Sequence, residues 1–396
     1  RDTLSQESDS SAGWGLDAVS GAAVTAVRAV IERNREVAVV AAEAGTALRM
    51  TSVVVRDTLG RDTDRSAGFA LSAQAGARVE LSAGSFEGNR TTAIQAIGAG
   101  TAVTLADVVV RDTHGNESDG DGGSGLGAAR AATVDANRVV LDGNRSVAIG
   151  AFGAETALSL TDVVVRDTVG SDDGTGGGMG LGLFDHATLD LNRAVFERNR
   201  VVAIAIRSAG SGNSLADLIV RDTLGDETDG SGGVGVLVEA SGVEISRALF
   251  ERNRLISVGA FCSGTDVAIA DLLVRDTMEA DCARDACVDE GGGTGLGAYA
   301  GAHVDARGFV VTGSALCGVQ LARGYCSDVA AAVEGGTMDL HDGEVAFNVV
   351  CGANVQTEGF DVDRLIDNVL FHDNNGQNLD TTELPVPRVG STSAAE

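Results

Sequence analysis

The sequence predicts an all-β chain, a right-handed, single-stranded parallel β-helix of about thirteen coils. The first observation is a repeat. The triplet Arg-Asp-Thr recurs at Arg1, Arg56, Arg111, Arg166, Arg221 and Arg275, at steps of 55, 55, 55, 55 and 54 residues. An Asn-Arg pair recurs with the same period at Asn34, Asn89, Asn144, Asn199 and Asn253. A fixed period over most of a chain marks stacked supersecondary units. The second observation is alternation. In Val243-Glu-Ile-Ser-Arg-Ala-Leu-Phe-Glu-Arg-Asn253 and its counterpart Val267–Thr277, apolar residues come at every second position, the period of a strand. The third is composition: 44% hydrophobic residues with only 4% aromatic, 54 Gly and 2 Pro, which suits thin layers of small side chains.

Each repeat holds two coils. Equivalent positions at Glu32, Arg56, Glu87, Arg111, Asp142, Arg166, Glu197 and Arg221 are separated by alternating steps of 24 and 31. A turn of about 24 residues is therefore the unit. The seven extra residues form a loop after each Arg-Asp-Thr. Gly125-Leu-Gly127, Gly180-Leu-Gly-Leu183 and Gly235-Val-Gly-Val238 start the strand that follows. A helical array is excluded because the apolar period is two. The expected organisation is a regular β-helix over 1–277, irregular Cys-containing coils over 278–380 with corners near Ser314, Asn348 and Asn374, and a polar tail or linker over 381–396. Arg1 falls in mid-coil, so an open sheet end is expected there, covered by preceding residues or by a second copy.

The formal net charge is −28 and every basic residue is Arg. Such a surface disfavours nucleic acid and anionic membrane, and no apolar run reaches the ~18 residues of a membrane span.

Stacking brings equivalent side chains within ~4.8 Å, so columns carry the information. In one column Glu32, Arg56, Glu87, Arg111, Asp142, Arg166, Glu197, Arg221, Glu251 and Arg275 alternate in sign. Each charge is expected to meet opposite partners above and below and so to fix coil register; a binding stripe is the other reading. Beside it lies an outward apolar column of Val30, Val54, Ser85, Val109, Val140, Val164, Val195, Ile219, Leu249 and Leu273, a contact surface or a plain strand preference. A third column is acidic. Glu117, Asp119, Asp121, Asp172, Asp173, Glu227 and Asp229 lie in Gly-rich loops and offer hard oxygen ligands of the kind Ca²⁺ takes. They lack the terminal bidentate Glu of an EF-hand, and solvated loops are the plainer reading.

All six Cys lie in the last third. Cys317 and Cys351 occupy equivalent places in consecutive coils and are expected to bridge. Cys282 and Cys287 share one loop and are expected to pair locally, which leaves Cys262 with Cys326. An even count in an irregular region points to an oxidising compartment, extracellular or at the cell surface. No Cys-x₂-Cys spacing supports zinc.

The Phe-x-x-Asn motif at Phe86–Asn89, Phe196–Asn199, Phe250–Asn253 and Phe371–Asn374, with the Gly-apolar-Gly strands, resembles the pectin-lyase-like β-helix superfamily, and most of all its non-enzymatic surface and autotransporter-type repeats. The resemblance implies the fold; the superfamily holds lyases, glycosidases, adhesins and structural proteins alike. No Gly-His-Asp or Asn-Thr-Asp signature is present. His114, His186, His303, His341 and His372 fall in different columns, and the irregular zone Asp281–Gly336 (with Asp285, Asp289, Glu290 and Asp328) is the place to look for a cleft. The first expectation is a non-catalytic extracellular or cell-surface structural or adhesive protein, a stalk or self-associating filament, partnered by itself or by other surface components. The alternative is a polysaccharide-binding or polysaccharide-degrading protein of lyase or glycosidase type.

Overall fold

The computed structural model describes residue 3 and residues 13–282, 292–324, 326 and 334–387. The chain divides into two compact units, 1–194 and 195–396. Among the described residues both are built from parallel strands, with one 3₁₀ turn, Val362–Leu365, in the second. No helix among the described residues is long and apolar enough to cross a membrane.

In the first unit one sheet stacks Leu16–Ala18, Val37–Ala42, Phe69–Gln74, Thr92–Ile97, Ser124–Ala129, Val147–Phe152 and Met179–Phe184. A second sheet stacks Ala23–Val27, Ala47–Thr51, Arg78–Glu87, Ala102–Arg111, Thr133–Asp142 and Ala157–Arg166, with the short strands Val30–Glu32 and Val54–Arg56 at its start. The chain crosses from one sheet to the other and back in each coil, and parallel crossovers of this kind are right-handed almost without exception. The second unit repeats the plan from Val202–Arg207 to Gln377–Asp380 in one sheet and from Asn213–Arg221 to Asp367–His372 in the other. Among the described residues the strands of the first-sheet type number fourteen over the two units, one more than the thirteen coils expected.

Register follows the repeat. Val108 pairs with Val139 and Val139 with Val163, while Leu105 pairs with Ala136 and Ala136 with Leu160. These inward positions are buried, as is Phe86, so each coil lays its apolar rungs on those of the next. Shifting one strand by a single residue would turn this whole set outward.

The Arg-Asp-Thr triplet is a corner. In Arg111-Asp112-Thr113 the Arg points out, the Asp takes a left-handed backbone (φ 54°), and the Thr turns inward and is buried. A short polar side chain makes that backbone tolerable. The buried Thr meets the Asn of the next Asn-Arg pair. Asn144 Oδ1 accepts from the Thr113 hydroxyl (2.7 Å) and amide (3.3 Å), and Asn144 Nδ2 donates to Val110 O (3.2 Å). The same three bonds join Asn89 to Thr58 and Val55, and Asn253 to Thr223 and Val220. The ladder continues where the repeat degrades: the Ser314 amide donates to Asn348, and the Asn348 amide and Nδ2 donate to Asn374. The three corners expected beyond the repeat are thus real corners.

The charge column closes differently from the expectation. Opposite charges do stand above and below, as in Glu87–Arg111–Asp142. Each Arg nevertheless closes on the acid 24 residues before it: Arg56 on Glu32 (2.6 Å), Arg111 on Glu87 (3.0 Å), Arg166 on Asp142 (2.8 Å), Arg221 on Glu197 (2.5 Å), and Arg275 on Glu251. The longer steps are bridged by a second column, at a left-handed bend within the second-sheet strands. There Arg138 forks onto Asp107, Arg193 onto Asp162 and Arg247 onto Asp217, across 31, 31 and 30 residues. The two columns together tie coils across both kinds of step.

Candidate functional site

The acidic loops are tied down by the Asn-Arg pairs. The Arg that follows each buried Asn donates through Nη1 to a loop carbonyl: Arg90 to Gly115, Arg145 to Gly170, Arg200 to Gly225. The same guanidinium pairs with the first loop carboxylate, Arg90 with Glu117 (3.2 Å), Arg145 with Asp172 (2.8 Å) and Arg200 with Glu227 (3.0 Å). The remaining candidate ligands hold their own loops. Asp119 accepts from the Asp121 amide and Asp121 from the Gly122 amide. Asp173 accepts from Ser171 and from the Thr175 amide, and Asp229 from the Ser231 amide and hydroxyl; these bonds hold both carboxyls below the usual carboxylate range. Among the described residues no three His, Cys, Asp or Glu side chains converge as a metal would require. Because Arg already neutralises the leading carboxylate of each loop, EDTA is expected to leave the thermal midpoint unchanged. A chelator-induced fall, restored by added Ca²⁺, would show instead that the loops take the ion.

Two disulfides lie among the described residues, Cys317–Cys351 (Cα–Cα 4.6 Å) and Cys262–Cys326 (5.5 Å), both as expected. The Cys282–Cys287 pairing lies outside the described residues. The apolar column is outward as expected. Val54, Val140, Val164, Val195, Ile219 and Leu249 are half-buried, and Val109 and Leu273 exposed, between buried neighbours.

The site with the most chemistry is elsewhere, in the second unit, on the outward face of the second-sheet strands His303–Thr312 and Thr337–Ala346. The outward positions of the coil before it, Asp266-x-Ala268-x-Ala270, hold one titratable residue. The next two coils read His303-x-Asp305-x-Arg307 and Thr337-x-Asp339-x-His341. Register sets Asp305 beside Asp339, Arg307 beside His341, and His341 beside Asp367. Asp285, Asp289, Glu290 and Asp328 lie outside the described residues.

Each group here is held. In place of the expected strand segment the following coil makes the 3₁₀ turn Val362–Leu365, capped by Asp361. That turn presents Arg364, which lies over the Phe360 ring and grips both Asp339 oxygens at 2.7 Å. The Arg364 fork, helped by His303 and His341, holds the Asp339 carboxyl below its ordinary range. His303 sets Nδ1 on the Thr337 hydroxyl (3.1 Å) and Nε2 toward Asp339 (3.5 Å). His341 is oriented by Asp367, 2.7 Å from Nδ1, and aims Nε2 at Asp305, 3.9 Å away. Asp305 Oδ1 is shielded from solvent and accepts no hydrogen bond, although Arg307 Nε stands 3.5 Å off. The arrangement thus offers an ionised carboxylate locked by Arg, an imidazole oriented by a carboxylate, and a second carboxylate with an unfilled acceptor.

The five His do fall in different columns, as expected, yet His303 and His341 both act on Asp339. His303 and His341 are drawn together because neighbouring coils offset by four residues still share the Asp305–Asp339 pair. The signal was present in the sequence: aligned coil by coil, the acid that recurs in alternate coils at Glu80, Asp135, Asp190 and Glu244 appears in two consecutive coils at Asp305 and Asp339, with His303, Arg307 and His341 as new outward neighbours.

No family model matches the chain, and no curated protein matches it. Solved structures do. A double mutant of the periplasmic alginate epimerase AlgG superposes with a TM-score of 0.52 at 9% identity, over 87% of this chain and 78% of that one. The pectate lyase Pel9A gives 0.44 at 14% identity, over 75% and 82%. At such identity the likeness to the epimerase is one of fold. The chain is a right-handed parallel β-helix, a fold it shares with that epimerase.

Proposed function

We propose that this protein binds polysaccharide and carries acid–base chemistry on it at the His303–Asp305–Asp339–His341 cluster. The observation that carries this reading is the local break in the repeat. Where the regular coils carry an acid at this outward position only in alternate coils (Glu80, Asp135, Asp190, Glu244), Asp305 and Asp339 fall in consecutive coils with His303, Arg307 and His341 beside them, and a 3₁₀ turn supplies Arg364 to hold Asp339. Asp339, kept ionised by Arg364, suits the role of stabiliser of developing positive charge. His341, oriented by Asp367, suits the transfer of a proton to or from a sugar oxygen or carbon. Arg307, largely exposed, offers a cation to an acidic sugar. A periplasmic alginate epimerase with the same fold makes polysaccharide the substrate class to test first. The disulfides favour an extracellular or periplasmic location.

A second reading, a non-catalytic surface, stalk or adhesive β-helix, is favoured by the near-exact period of the repeats. Their described outward faces hold paired charges and aliphatic residues and no comparable His–Asp cluster. A panel of neutral and acidic polysaccharides separates the two. The readouts are binding, new reducing ends and the ultraviolet absorbance of unsaturated sugar products. Turnover of one class is expected, with Asp339→Asn reducing it by about 100-fold or more while binding persists. Neither binding nor turnover across the panel would reject the polysaccharide reading and leave the second.

A further inference from the structure

We propose that the outward aliphatic ladder is a docking face for a second copy of this chain. The inference is independent of the polysaccharide reading. In the first unit Val54, Val109, Val140 and Val164 stand in one outward column, joined by register through Ser85. Their exposure rises to 37% at Val109. Aliphatic side chains left half in water along several consecutive rungs favour a dry partner.

The flanks say which partner. On one side run the pairs Glu32–Arg56, Glu87–Arg111 and Asp142–Arg166; on the other, Asp107–Arg138 and Asp162–Arg193. Every acid in these pairs is matched by an Arg. The chain as a whole carries −28, and loops such as 116–121 carry Glu117, Asp119 and Asp121. The strip is therefore where two copies meet the least like-charge repulsion. It is also complementary to itself. Sign alternates along each column at the coil spacing of ~4.8 Å, so a copy shifted by one coil, or inverted, sets acid opposite Arg. The ladder carries no aromatic ring on which a sugar could stack. The second unit has the same arrangement on its own coils, where Ile219, Leu249 and Leu273 line a shallow groove bordered by Asp217 and Arg247.

The test is sedimentation velocity over a concentration series of the full chain at low and high salt. A dimer whose share rises with concentration is expected. Association should strengthen with salt, because the Debye length falls from ~10 Å at 0.1 M to ~3 Å at 1 M and screens the net repulsion between copies. Val109→Ser with Val140→Ser should weaken the dimer at least tenfold without changing the circular dichroism spectrum. Serine already stands in that column at Ser85. Should that double variant misfold, Val109→Asp alone is the second probe, expected to disfavour the dimer at least as strongly. A monomer at every concentration and salt overturns the proposal, and so does a dimer that ignores these substitutions.

Discussion

Replacing Asn144 with Ala is expected to destabilise the first unit by about 3–5 kcal/mol, far more than any surface ion pair is worth. The side chain is 1% exposed and serves three buried groups, the Thr113 amide, the Thr113 hydroxyl and the Val110 carbonyl. Each buried polar group left without a partner costs about 1–3 kcal/mol, and the Thr hydroxyl is the one able to turn elsewhere. Arg138→Ala, by contrast, removes an exposed, solvent-screened pair and should leave stability nearly unchanged. Urea unfolding of the two variants side by side checks the ordering. Equal losses would mean that the Asn–Thr ladder does not carry register as described. The contrast matters because both residues are polar and both recur with the repeat; burial decides which one holds the coil.

The second large effect concerns the C-terminal coils. Replacing Cys317 and Cys351 together with Ala should lower the stability of the second unit by about 3–4 kcal/mol, from the chain entropy released by opening a loop of 34 residues. Both cysteines are buried, and the strands that carry them are register partners, so the bridge ties one coil to the next. Because stacked coils couple only to their neighbours, the loss should be confined to the second unit. Thermal unfolding followed with hydrogen exchange checks this. Protection lost in 195–387 with 13–194 unchanged is the expected pattern; a uniform loss would contradict it. The bridge stands where the Asn–Thr ladder changes character, at Ser314 and Asn348.

Much of the fold was legible because a solenoid writes its geometry into its period. The 24 and 31 steps gave coil length and loop position, and Cys317 and Cys351 could be paired because equivalent places in adjacent coils must stack. The link between Thr113 and Asn144 was less legible. It joins two different motifs from neighbouring coils, and each alone looks like a surface corner. The Arg–loop contacts were hidden for a similar reason: Arg90 reaches Glu117 from 27 residues away, and acidic loops seen alone suggest a cation from solvent rather than one from the chain. The His–Asp cluster was missed because a search for motifs along the chain does not see across coils. Asp339 and Arg364 meet only because a 3₁₀ turn replaces a strand, and nothing in Asp361-Val-Asp-Arg364 announces that exchange.

The central claim is that the break in the repeat is where the protein meets its substrate. It is tested most directly by following the five imidazoles by NMR during titration with an oligosaccharide of the class retained in the binding panel. The account predicts that the His303 and His341 signals move with saturation, while His114 and His186, on coils of the first unit, stay in place. Saturable binding that leaves His303 and His341 unmoved would contradict it.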